Sequence, residues 1–160
     1  MSMEDLSSVL WRERELLEML LYKLEVEQMI LEHGRTRWLA AAAREIETVL
    51  ESIREAELLR AVAADSTASE LGLDPNPSLT QLAEASQEPW RGMLFDHREA
   101  FATVAAQITS LAESNRDLLT SGYRAAQATL ESMAEGPGTY TADGSAASPD
   151  RRTNVLDRSI

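Results

Sequence analysis

The sequence predicts an all-α fold: an elongated antiparallel helical bundle, or coiled coil, of three long helices and one short one, followed by a disordered C-terminal tail. Three observations predict it. Hydrophobic residues make up 44% of the chain but aromatics only 5%, with Ala, Leu, Glu and Arg dominant, whereas strands favour β-branched and aromatic side chains. Apolar residues recur at steps of three and four over long stretches. The prolines fall at or beyond the ends of those stretches. The helices are expected at about 3–33, 36–71, 78–86 and 89–135, giving a bundle over 1–135 and a tail over 136–160.

The first helix starts at Ser2, which forms a capping-box pair with Asp5 three residues on. Met3, Leu10, Leu17, Leu24 and Leu31 repeat every seven residues. The intermediate positions are shared between Leu6 and Leu20 on one hand and Glu13 and Glu27 on the other. A stripe of this regularity has to be buried against other helices. Gly34 supplies the left-handed residue that closes the helix.

Thr36 is the expected cap of the second helix, whose apolar set is Leu39, Ala43, Ile46, Val49, Leu50, Ile53, Ala56, Leu59 and Val62. The break between the two is short enough for an antiparallel hairpin; a kinked continuous helix is the other reading. Pro75 and Pro77 exclude a helix in "GLDPNPS", and Ser78 with Gln81 forms a second capping box that opens the short helix. Pro89 suits the first turn of the last helix. Its seam reads Trp90, Leu94, His97, Phe101, Val104, Ile108, Leu111, Asn115, Leu118, Gly122, Ala125, Thr129. Asn115 interrupts an apolar row, the position from which a buried amide sets helix register. "GPG" at 136–138 ends the helix.

The second helix has about 35 residues and the last about 46, a difference of roughly 15 Å at the helical rise. Packed from a common base, the last helix overhangs, leaving Leu130 and Met133 without intramolecular apolar partners. Leu118, Leu119 and Tyr123 lie on the second half of the same helix; packing is the plain reading for the leucines, and for Tyr123, beside Gly122, packing and a surface role stand level. The three tryptophans, Trp11, Trp38 and Trp90, are read as core or boundary residues.

Charge and composition narrow the function. The formal net charge is −12, and it sits on the helices, because the three Asp and three Arg of the tail cancel. Such a surface repels phosphate, which argues against nucleic acid and anionic membranes. No cysteine is present, so disulfides and thiol chemistry are excluded. "MSMEDLSSVLWRERE" has no apolar signal region, and "AFATVAAQITSLA" is too short and polar for membrane insertion, so the chain is expected to be cytoplasmic. His33 and His97 lack metal spacing, and no Glu-x-x-His or glycine-rich phosphate loop occurs. The carboxylates alternate with Arg along helix faces, as solvated i,i+4 pairs do. We therefore expect no catalytic, cofactor-binding or metal-binding residues, and no enzyme.

Three stretches resemble the FlgN family of flagellar type III export chaperones, in its actinobacterial-like form. "LLEMLLYKLEVEQMILEHGRTRWLAAAAREIETVLESI" is similar to the family's leucine-rich first helix, short break and second helix. "LAESNRDLLTSGYRAAQATLESM" looks like its final helix, and "TYTADG" like its closing Tyr-x-Ala-x-Gly signature. The resemblance implies a cytoplasmic chaperone that binds the amphipathic terminal helices of hook-associated (junction) proteins, prevents their premature assembly and delivers them to the export gate. Client binding in the family lies toward the C-terminal part, which here corresponds to Leu118, Leu119, Tyr123, Leu130 and Met133. Gate docking corresponds to Tyr140, Ala142 and Gly144. The rival reading is a coiled-coil adaptor or self-assembling scaffold that uses the heptad row of the first helix.

Overall fold

The computed structural model describes residues 2–135. They form α1 (Met3–Glu32), a 3-10 turn (Thr36–Trp38), α2 (Leu39–Leu71), α3 (Leu79–Ala85) and α4 (Trp90–Ala134), with no strand among the described residues. The fold is all-α.

Local chemistry sets the helix ends. The Asp5 N–H donates to Ser2 Oγ at 3.3 Å while the Ser2 N–H donates to the Asp5 carboxylate at 2.7 Å. That backbone hydrogen bond from Ser2, joined by one from its hydroxyl, holds the Asp5 carboxyl below its ordinary range. At the other end Gly34 takes φ 65°. The Arg35 N–H reaches the Ile30 carbonyl at 3.0 Å and the Gly34 N–H the Leu31 carbonyl at 3.3 Å, the bond pair of a Schellman ending. Gly72 at φ 71° closes α2 with the same two bonds, Leu73 to Ala68 and Gly72 to Ser69. The box at Ser78 and Gln81 opens α3. The Glu88 carboxylate accepts from the Gly92 N–H at 3.2 Å, satisfying a free donor at the start of α4.

Thr36 does not cap α2. It opens the 3-10 turn, and neither that turn nor α2 has a side-chain cap. The tightened turn itself carries the chain into α2, with the Trp38 N–H bonded to the Arg35 carbonyl at 3.0 Å.

The first break is a hairpin. Lys23 pairs with Glu45 at 3.2 Å and Glu13 with Arg60 at 3.3 Å, so rising numbers on α1 meet falling numbers on α2. On α4 the order is the reverse: Ser7 meets Met93, Arg14 meets His97, and Gln28 meets Ser114. Within residues 1–115, which form one compact unit, α1 and α4 therefore run parallel and α2 runs against both.

Two apolar clusters fill this unit. One gathers Leu6, Leu10, Ala63, Ala64, Leu82, Ala83 and Leu94 from all four helices. The other joins Leu16, Leu20 and Leu24 to Val49, Ile53 and Ala56, with Ile108 and Leu111 packed against it. Each fully buried leucine contributes about 1.5–3 kcal/mol of transfer free energy. The alanines of the first cluster leave room for α3 against α2.

The buried face of α2 differs from the expected one at its start, where Ala42 rather than Ala43 is buried, and again in its second half. Leu59 and Val62 are exposed, and the core takes Ala63, Ala64, Thr67 and Ala68 instead. Steps of three from Ala56 to Leu59 to Val62 each lag a full turn by about 60°, so that row walks off the interface. The seam toward α1 keeps alternating steps of four and three.

Candidate functional site

Residues 116–135 fall in a second unit, separate from the first. Helical geometry runs unbroken through it to Ala134. The seam of α4 is buried or half-buried through Leu118, while Gly122, Ala125 and Thr129 are exposed. On the adjacent face Leu119, Tyr123, Leu130 and Met133 stand at steps of four, seven and three, with Ala126 between Tyr123 and Leu130. That spacing places all of them along one side of a helix over roughly 21 Å. They are 40%, 54%, 51% and 74% exposed, respectively. Leu118 is half-buried. An apolar row of this length, left uncovered among the described residues, can receive the apolar face of another helix. Tyr140, Ala142 and Gly144 lie outside the described residues.

The polar groups of the first unit are structural in geometry. Glu13, in phase with Leu6 and Leu20, is 3% exposed; burial raises its carboxyl above the ordinary range, opposed by the Arg60 guanidinium and assisted by the charge of Glu57. Its Oε2 has no hydrogen-bond partner among the described residues. Glu27, on the same row, accepts from Asn115. Asn115 is 2% exposed and spans from α4 to α1.

His97 is fully buried, with its ring 4.8 Å from Trp11 in an edge arrangement and stacked at 6.1 Å on Phe101. Burial, then the neighbouring Arg14 charge, lowers its basicity, against a smaller opposing effect of Asp96. Arg14 can only donate, at 3.5 Å, so Nδ1 accepts and the proton sits on Nε2, which has no partner among the described residues. His33 lies at the end of α1, its Nδ1–H donating to the Met29 carbonyl at 2.8 Å. Among the described residues no group of His, Asp and Glu is arranged to hold a metal ion, and no helix is long and apolar enough to cross a membrane.

Trp11 and Trp38 are 49% and 54% exposed, at the boundary rather than in the core, each beneath a guanidinium, from Arg14 and Arg37. Sequence reading placed Glu13 and Glu27 on the seam but not their partners. The signal was their phase with Leu6 and Leu20; the partners depend on which helices become neighbours.

The described residues define an all-helical bundle protein with an exposed apolar row on its last helix. The family comparison gives that class a name: the model of the FlgN protein family matches residues 1–148, and the chain belongs to that family. Membership supports a flagellar export chaperone role in general terms. No curated protein and no solved structure matches the chain.

Proposed function

We propose that this chain is a cytoplasmic flagellar export chaperone for hook-associated proteins. It covers their amphipathic terminal helices, prevents premature assembly and passes them to the type III export gate. The observation that carries this reading is the exposed row Leu119, Tyr123, Leu130 and Met133 on the last turns of α4. A client helix laid on that row buries apolar surface that would otherwise drive aggregation. Leu118 extends the contact at its N-terminal end. The acidic surface keeps the chaperone and its complexes soluble. Tyr140, with Ala142 and Gly144, serves as the gate-docking segment, an aromatic anchor presented on a short turn-forming sequence.

The heptad row of α1, which a self-assembling scaffold would use, is occupied inside the chain: Leu6, Leu10, Leu20 and Leu24 are all buried. This favours the chaperone over the adaptor. Copurification tests the proposal. A hook-associated protein is retained by the wild-type chain and lost from the Leu130→Asp/Met133→Asp variant, with helicity by circular dichroism unchanged. Equal retention by both refutes the assignment of the row.

A further inference from the structure

A second surface lies within the first unit, on the side where α1 and α4 run parallel. Two concavities, each of about 520 Å³, follow one another along α4 from Asp96 to Ser114 and meet at Leu21 and Gln107, making a two-part groove. The half-buried Leu21 and Leu111 line it with apolar surface, over a floor that includes the buried Val104. Glu18, Glu25, Asp96 and Glu99 line it with carboxylates, none of which has an ion-pair partner among the described residues. Trp11, Arg14, Glu18, Leu21, Glu25 and Gln28 follow one another at steps of three and four, so the half-exposed Trp11 extends the same stripe of α1.

We propose that this groove docks a basic amphipathic helix: an apolar row over Leu21, Val104 and Leu111, flanked by Lys or Arg facing the four carboxylates. The groove spans about 27 Å along α4, the length of about 18 helical residues. Charge selects the occupant. A second copy of this chain, with its net charge of −12, brings like charge to an acidic rim, whereas a basic helix is drawn to it. The proposal goes beyond the row on the last turns of α4 and does not depend on it.

The test uses the full chain and a synthetic helix of about 18 residues, with a leucine stripe flanked by lysines, labelled for fluorescence anisotropy. Its twin carries glutamate in place of lysine. The lysine peptide binds and the glutamate peptide does not. The Glu18→Lys/Asp96→Lys/Glu99→Lys variant, altered only at exposed positions, binds the lysine peptide about tenfold or more weakly. Raising salt from about 50 to about 500 mM weakens binding to the wild-type chain. The Leu130→Asp/Met133→Asp variant binds the lysine peptide as the wild type does, which separates this groove from the client row. Equal binding of the two peptides, unchanged binding by the triple variant, or loss of binding in the Leu130/Met133 variant overturns the proposal. So does a dimer mass by light scattering that the triple variant abolishes, which would give the groove to a second copy.

Discussion

Asn115 of α4 donates from Nδ2 both to the Leu24 carbonyl, at 2.9 Å, and to the Glu27 carboxylate, at 3.0 Å, tying α4 to α1 near the end of the first unit. Its own Oδ1 has no partner among the described residues. A buried amide that satisfies two acceptors in one register satisfies neither in a shifted one. Asn115→Ala should destabilise the chain by about 1–3 kcal/mol in urea unfolding, because the buried Glu27 loses its donor. Asn115→Leu combined with Glu27→Leu should recover most of that loss, with a coupling of about 0.5–3 kcal/mol in the double-mutant cycle. Simple additivity of the two substitutions would contradict the register role.

Glu13 sits in an apolar row with one oxygen unpaired, while its partner Arg60 keeps more than a third of its side chain in water. Removing the carboxylate therefore leaves no stranded buried charge. Glu13→Leu should raise stability at pH 7 by about 1–2 kcal/mol, in the manner of buried ion pairs replaced by hydrophobic residues. A loss of stability would mean that the ion pair outweighs its desolvation.

The two shifted groups in the core oppose each other with pH. For Glu13 the folded state has the higher pKa, so its contribution is fully present below the unfolded value of 4.5 and is lost as pH rises through the folded one. For His97 the folded pKa is depressed, so its contribution is complete above the unfolded value of 6.5 and is lost as pH falls from there through the folded one. The His97 contribution to the unfolding free energy should therefore decline as pH drops below about 6.5, with Glu13 working against it. In His97→Gln that decline should be shallower, while Glu13→Gln should flatten the opposing trend above about pH 4.5. Parallel pH profiles for the wild type and His97→Gln would mean that His97 titrates alike in the folded and unfolded states.

Tyr140→Ala should leave capture of a hook-associated protein intact and reduce its secretion, read as the ratio of secreted to cell-retained client. Normal secretion by this variant removes Tyr140 from gate docking.

Much of the fold was legible because its signals are local. Ser2 with Asp5 and Ser78 with Gln81 announce their helices by chemistry three residues apart, and Gly34 and Gly72 end theirs through a backbone conformation few other residues adopt. The seam of α4 was legible through Leu118, since alternating steps of four and three fix a face without knowledge of the neighbour. The outward turn of Leu59 and Val62 was not, because α2 keeps a helical apolar pattern on two faces and only packing chooses between them. The contacts of Glu13 with Arg60 and of Arg14 with His97 were also hidden, since each joins residues that only the three-helix arrangement brings together. The groove between α1 and α4 belongs to the same class: it is a property of two parallel helices, and neither shows it alone.

Light scattering coupled to size-exclusion chromatography tests the chaperone account most directly. The chain alone should elute as a monomer, and addition of a hook-associated protein should shift it to a one-to-one complex that the Leu130→Asp/Met133→Asp variant does not form. A stable homo-oligomer that ignores the hook-associated protein would contradict the account.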